Sequence, residues 1–331
     1  MPRFLLPIIA ALLLAGCATS FDLQGHRGAR GLEPENTLPA FARAIEIGVD
    51  TLELDTNITK DGVVVISHNT SLNPDITRGP DGKWLAAPGP PIYSLTFAEL
   101  SRYDVGRIDP NTKYARQFPD QVPVDGTHMP RLADLFAMVR AKGDGHTRFN
   151  IETKISPLKP DESPGPGEFT RKVVAEIRAG GMEHRSTLQS FDWRTLAIAQ
   201  RIAPEIPTVY LTSQQRWGDN VCTGPSAGTP AIDPAQCGDS PWTAGVQLRK
   251  EGSVPRMVKA AGGAIWSPFY RDIDEAKVKE AHALGISVVV WTVDDPEEMK
   301  RMVKMGVDGL ITDRPDLGVR ALYEEKGDRS R

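Results

Sequence analysis

Cysteine and histidine are both scarce in this chain: three cysteines and six histidines among 331 residues. Neither type clusters at the spacing of a zinc site. Cys222 and Cys237 have no histidine near them, and His128, His146, His184 and His282 fall in expected loops or helices. The chain also lacks any long run of like charge that could act as a tail. Its formal net charge of −4 argues against a general nucleic-acid binder. Long apolar runs are missing as well. The one candidate, Phe4 to Leu14, is too short to cross a bilayer. What remains is globular: 40% hydrophobic and 25% charged residues allow a sizeable core.

The short apolar run follows Arg3 and leads into Ala15-Gly16-Cys17, the pattern of a signal peptide. Its end, Leu13 to Cys17, resembles the lipobox of bacterial lipoproteins. The resemblance implies removal of residues 1–16, acylation of Cys17, and a tether over 17–20. It implies export and lipid anchorage in the cell envelope, facing the periplasm where there are two membranes. Each buried CH2 of an acyl chain contributes roughly 0.8 kcal/mol to such an anchor. The alternative is an ordinary secretory signal with a chance cysteine. Export bears on Cys222 and Cys237, which stand in a Gly/Pro/Ser-rich stretch. In an oxidising compartment they are expected to pair, for roughly 3 kcal/mol; the alternative is two free thiols.

From Phe21 onward the pattern alternates between strand and helix. A strand over 21–25 exits into His26-Arg27-Gly28-Ala29-Arg30-Gly31, and a helix over 37–47 follows. Asn36 or Thr37 can cap that helix, Pro39 fits its first turn, and Gly48 ends it. The strand Thr51 to Ile58 puts Leu52, Leu54 and Ile58 on one face and Glu53, Asp55 and Asn57 on the other. The turn Asp61-Gly62 returns the chain as Val63 to Ile66, delivering Ser67 and His68. Residues 70–130 read as an irregular insertion with one helical piece near 96–103, a lid or else disordered. Helix 132–139 and strand 149–154 follow, with Glu152 and Lys154 sharing a face. Strands are then expected at 186–191, 207–211, 264–266, 288–292 and 309–313. Helices fill the gaps, and a second insertion covers 213–250. Eight such units close a (β/α)8 TIM barrel with an insertion after the second strand, spanning residues 21–327.

Active residues of such barrels sit at the C-terminal ends of strands. His26, Glu53, Asp55, His68, Glu152 and Lys154 all fall there, with Trp291 and Asp313 on the last two strands. Three converging carboxylates repel one another, and a hard divalent cation, Mg2+ or Ca2+, offsets them with oxygen ligands. Arg27, Lys154 and two imidazoles around that cation suit a phosphate diester.

These residues carry a resemblance. His26-Arg27-Gly28 with Glu35-Asn36-Thr37, then Glu53-Leu54-Asp55, Lys60-Asp61-Gly62, His68, Glu152-Thr153-Lys154, Gln189-Ser190-Phe191, Trp291-Thr292-Val293 and Thr312-Asp313 resemble the glycerophosphodiester phosphodiesterase family. The resemblance implies a metal held by Glu53, Asp55 and Glu152, an acid–base pair in His26 and His68, and phosphate contacts from Arg27 and Lys154. The implied reaction releases sn-glycerol 3-phosphate and an alcohol. Trp291 either packs in the core with one edge in the mouth or touches substrate. Gln189 and Asp313 are expected to be structural. Two positions depart from the family pattern: Asn69 stands where Asp is usual, and Asp294 where Asn is frequent. Two alternatives stay open, a sphingomyelinase D-like phospholipase on the same barrel and a lipid-tethered binding protein without turnover.

Overall fold

A computed structural model describes residues 21–224, 227–228 and 233–326. The signal peptide, Cys17 and the tether expected at 1–20 lie outside the described residues, as does position 327. In chain order the barrel begins with β1 (Asp22–Gly25), α1 (Leu38–Ile47), β2 (Thr51–Ile58) and the return strand β3 (Val64–Ile66). Next come α2 (Phe97–Leu100), α3 (Leu132–Ala141), β4 (Arg148–Thr153), α4 (Pro166–Ala179), β5 (Ser186–Ser190) and α5 (Trp193–Ile202). After β6 (Thr208–Thr212) a small hairpin, β7 (Gln214–Gln215) and β8 (Gly218–Asp219), leads to α6 (Leu248–Glu251) and α7 (Val254–Ala260). The chain ends with β9 (Ile265–Pro268), α8 (Glu275–Ala283), β10 (Ser287–Val290), α9 (Pro296–Met305), β11 (Gly309–Thr312) and α10 (Pro315–Lys326).

The strand order β1-β11-β10-β9-β6-β5-β4-β2 closes on itself through β1 and β2, all pairs parallel. This is the (β/α)8 barrel expected from the sequence, with β3 antiparallel on β2. The first strand–helix unit shows how local chemistry sets it. The Thr37 side chain, not that of Asn36, caps α1 by accepting from Ala40 N, and Gly48 at φ 93° stops it. Gly28 lets the loop close onto that helix: a Cβ there would lie 2.6 Å from the Ala40 carbonyl carbon. Ala40, Phe41 and Ala44 then bury against the barrel wall.

Every residue of β2 is buried, because helices cover one face and the barrel interior takes the other. That interior is divided. Around β1, β2, β4 and β5 the inward positions are Gln24, Thr51, Glu53, Asp55, Asn150, Glu152, Thr187 and Gln189. Around β6, β9, β10 and β11 they are mostly aliphatic, Val209, Leu211, Ile265, Val289 and Ile311, with hydroxyls at Ser267 and at Ser287 on the lower rim.

Of the two expectations for the 70–130 segment, a lid or a disordered loop, the structure corrects the second. Val65, Leu72, Ile92, Leu100, Val105 and Met129 form a small core of their own beneath it. Its helical piece is the short α2, preceded by a 3-10 turn over Ile92–Ser94. In the second insertion a disulfide joins Cys222 and Cys237, whose Cα atoms are 5.3 Å apart.

Candidate active site

The C-terminal ends of the strands open into a cavity of about 500 Å3 lined by His26, Arg27, Glu53, Asp55, His68, Glu152, Lys154 and Trp291. Every described residue singled out for chemistry from the sequence therefore reaches one place, apart from the cysteine pair. Glu53, Asp55 and Glu152 each offer an oxygen, and these oxygens lie within 4.8 Å of one another. The β2–β4 register pairs Asp55 with Glu152, and alternation along β2 puts Glu53 one step below.

Buried acids this close oppose one another's ionisation. Burial, then Asp55 and Glu152, raises Glu53 well above the usual carboxylate range. Burial pushes Glu152 up to about 7 against the pull of Lys154. Asp55 goes the other way: burial works against its charge, but Lys154, Arg27 and His68 hold it well below the ordinary value. Lys154 Nζ lies 3.0 Å from Glu152 Oε1 and 3.6 Å from Asp55 Oδ1. Arg27 Nη1 donates to Glu35 Oε1 at 2.8 Å, and its Nε is 3.2 Å from Asp55 Oδ2 without the alignment of a hydrogen bond. Three carboxylates, two of them held off ionisation, form an oxygen donor set short of positive charge. That set fits a hard divalent ion.

Arg27 and Asn36 both take left-handed backbone angles, φ 51° and 57°. Such angles are costly for residues other than glycine and are held by the surroundings. Here the Arg27 N–H donates to Glu53 Oε2 at 3.0 Å, and Asn36 Nδ2 donates to Asp55 Oδ2 at 2.9 Å. The bends thus aim two donors at the acid cluster.

The two imidazoles differ in support. His26 Nδ1 donates to Asp313 Oδ1 at 2.6 Å, which leaves Nε2 facing the mouth, 3.9 Å from Glu53 Oε2. Asp313 can only accept: burial opposes its charge, but Arg30 and His26 keep it far below the usual range. Arg30 grips it with Nε and Nη2 at 2.7 and 2.6 Å. Burial and the Arg30 charge lower His26 to about 4, so its ring is neutral near pH 7. His68 is lowered too, by burial and then by Arg27 and Lys154. Behind it Asn69 Oδ1 stands 3.4 Å from Nδ1, a long contact with a neutral amide.

Reading Gln189 and Asp313 as structural missed what they touch. Gln189 Nε2 donates to Glu53 Oε1 at 2.5 Å. Its orientation is forced from below, since Asn150 Nδ2 donates to Gln189 Oε1 at 3.0 Å and to Gln24 Oε1 at 2.9 Å. Gln24 Nε2 in turn donates to Asp22 Oδ2 at 2.8 Å. A ladder of amides thus runs through the polar half of the barrel and ends on a carboxylate of the acid cluster. The usable signal was alternation, because Gln24, Asn150 and Gln189 share the inward parity of His26, Glu152 and Phe191. Glu35 and Tyr114 were missed as well. Tyr114, from the first insertion, donates to Glu35 and accepts from Arg30 Nη1 at 3.3 Å, tying that insertion to the site.

Opposite the acids stands an aromatic wall. Trp291 meets Phe191 and Phe269, each with centroids at 5.3 Å, and Trp217 at 6.2 Å. The Trp291 indole N–H donates to Ser267 O at 3.0 Å. Trp291 therefore both packs and lines the mouth.

An acid trio, two imidazoles and two fixed cations in the mouth of a (β/α)8 barrel define a phosphodiester hydrolase. The sequence pattern of the Glycerophosphoryl diester phosphodiesterase family matches residues 26–317. A glycerophosphodiester phosphodiesterase of Caldanaerobacter subterraneus subsp. tengcongensis is 29% identical over 292 residues, covering 88% of this chain and 93% of its own. One from Bacillus altitudinis is 28% identical, covering 91% and 98%. A crystal structure of a family member from Silicibacter pomeroyi shares 36% identity and superposes with a TM-score of 0.79, covering 93% of this chain and 94% of that one. The chain belongs to the glycerophosphoryl diester phosphodiesterase family.

Proposed function

We propose that this chain hydrolyses small glycerophosphodiesters to sn-glycerol 3-phosphate and an alcohol, with Glu53, Asp55 and Glu152 holding a divalent cation, Mg2+ or Ca2+. The observation that carries the reading is the convergence of that trio with His26, His68, Arg27 and Lys154 in one cavity. A bound cation supplies positive charge against the phosphoryl oxygens. Arg27 and Lys154 add two more fixed charges and orient the diester. His26, neutral and backed by Asp313, has its Nε2 lone pair free to accept the proton of the attacking oxygen. The Asp313 carboxylate stabilises the imidazolium that results, as in other carboxylate–imidazole pairs. His68 gives a proton to the leaving oxygen from its imidazolium form, which the negative charge of a bound diester would favour against the burial, Arg27 and Lys154 that lower it. Each transfer is worth about 10²–10⁴-fold.

The full chain, assayed on glycerophosphocholine with and without EDTA, tests this. Release of glycerol 3-phosphate that stops on chelation is the expected result. A folded chain that turns over nothing supports the binding-protein alternative. Choline release from sphingomyelin, with no action on glycerophosphocholine, supports the phospholipase alternative.

From the lipobox-like run Leu13 to Cys17 we propose, separately, that the barrel, residues 21–327, is held on the cell envelope. Residues 1–16 are removed, Cys17 is acylated and 17–20 form the tether. Cys17→Ala is expected to move the protein from the membrane to the soluble fraction. A variant that stays with the membrane overturns the anchor.

A further inference from the structure

We propose that Trp217 makes the aromatic wall a seat for a quaternary-ammonium leaving alcohol, choline being the smallest natural example; this rests on the phosphodiesterase reading above. Trp217 stands at the turn between β7 and β8, within the 213–250 insertion. It is 64% exposed, yet it lines the mouth of the cavity. A single exposed apolar side chain is ordinary, and Val122 and Leu158 are exposed too; what sets Trp217 apart is its place at the mouth. It is also not loose. Its ring meets Phe269 edge-on at 5.4 Å and Trp291 at 6.2 Å. The hairpin beneath it is pinned at both strands. The Asp272 carboxylate accepts from the Gln214 N–H at 2.7 Å and from Gln215 Nε2. Asp219 accepts from the N–H groups of Val221, Cys222 and Gly228. The insertion thus holds an indole at the rim, on the side away from the acid trio.

The chemistry of the wall selects its occupant. Phe191 and Phe269 carry no polar atom, and the Trp291 N–H is committed to Ser267 O. A polyol leaving group would bury hydroxyls here with few partners, which costs free energy. A trimethylammonium group needs no hydrogen bond and is drawn to ring faces. Lys154 Nζ, 5.9 Å from the Phe191 centroid, keeps a like charge at that ring, so the seat is the part of the wall made by Trp217, Phe269 and Trp291. The cavity, at about 500 Å3, is large enough to hold a head group beside the phosphate and glycerol.

The test compares kcat/KM of the full chain and its Trp217→Ala and Trp217→Phe variants on three diesters. These are glycerophosphocholine, glycerophosphoglycerol, and the glycerophosphodiester of 3,3-dimethylbutanol, which copies the shape of choline without its charge. In Trp217→Ala the preference for the choline diester over each of the others is expected to fall about tenfold, and Trp217→Phe is expected to restore most of it. Unchanged preferences overturn the proposal. So does a parallel loss on the choline and dimethylbutyl diesters, which would mean that the wall reads shape alone. If the wild type cleaves none of the three, the phosphodiesterase reading fails. Calorimetric titration with glycerophosphocholine then decides the seat by itself: binding about tenfold weaker in Trp217→Ala upholds it, and equal or absent binding overturns it.

Discussion

Strands β1, β2, β4 and β5 turn Gln24, Glu53, Asn150 and Gln189 into the barrel, whereas β6, β9, β10 and β11 turn in Val209, Leu211, Ile265, Val289 and Ile311. Barrels of this class usually fill their centre with branched aliphatic side chains all round. Here only half does so. The apolar half excludes water and stabilises by burial. The polar half must match donor to acceptor at each level, because an unpaired buried amide costs about 1–3 kcal/mol. Its ladder from Asp22 to Glu53 meets that demand. The polar half therefore fixes the position of a carboxylate, and the apolar half fixes the shape of the barrel. Substitutions in the two halves are expected to fail differently.

The largest effect is expected at Glu53. Glu53→Gln removes one acid of the trio, and kcat/KM is expected to drop beyond the 10–100-fold typical of outer groups around a metal. The chain should stay folded, with a melting temperature somewhat lower at most, because the new amide nitrogen meets a donor, Arg27 N–H or Gln189 Nε2, where the carboxyl accepted from both. Glycerol 3-phosphate release and a thermal melt check both, and retained turnover would remove Glu53 from the metal site. Asp313→Asn comes next. It leaves His26 without a carboxylate behind Nδ1, and about a hundredfold loss of kcat is expected. The variant carries a second readout. The Asp313 carboxyl is held far below its ordinary value in the folded chain, so it stabilises above about pH 4 and that contribution is lost as pH falls further. The wild type should lose stability below pH 4 more steeply than Asp313→Asn, as followed by urea melts across pH.

Smaller effects sharpen the contrast between the halves. Gln189→Leu removes the donor to Glu53 Oε1, and metal affinity measured by calorimetry should fall about 10–100-fold. Val289→Ala, on β10 of the apolar side, which pairs with neither β2 nor β4, should destabilise the fold by about 1–3 kcal/mol and leave metal affinity as in the wild type. Were both variants to lose stability alone, the ladder would be packing and not positioning.

How much of this was legible in the sequence follows the same division. Alternation along single strands put Glu53 with Asp55, and Glu152 with Lys154, and the repeated strand–helix pattern closed the barrel on paper. What a strand pattern does not carry is the neighbour across a closure. Asp313 reaches His26 because the last strand pairs with the first, 287 positions away. Gln189 reads as an ordinary core amide until Asn150 beneath it fixes which end faces Glu53. Tyr114 and Trp217 come from insertions without periodicity, so nothing in their spacing pointed inward. Disorder stayed open for the first insertion, beside a lid, because its small core is assembled from isolated apolar residues, not from an amphipathic helix.

Asp294 gives the smallest and most local test, at the border between the halves. Its Oδ1 accepts from the Asp313 N–H at 2.8 Å and from Thr312 Oγ1 at 3.1 Å. Burial, and then the Asp313 charge, push its carboxyl up to about 7. A group that holds its proton more tightly in the folded chain makes folding weaker as pH rises from about 4 to about 7. Asparagine keeps the accepting oxygen and never ionises. Asp294→Asn should therefore melt higher than the wild type at pH 8, with the gap closing toward pH 4. A gap of equal size at both pH values would show that geometry, not charge, separates the two side chains. No gap at pH 8 would show that the carboxylate beside Asp313 is tolerated in its ionised form.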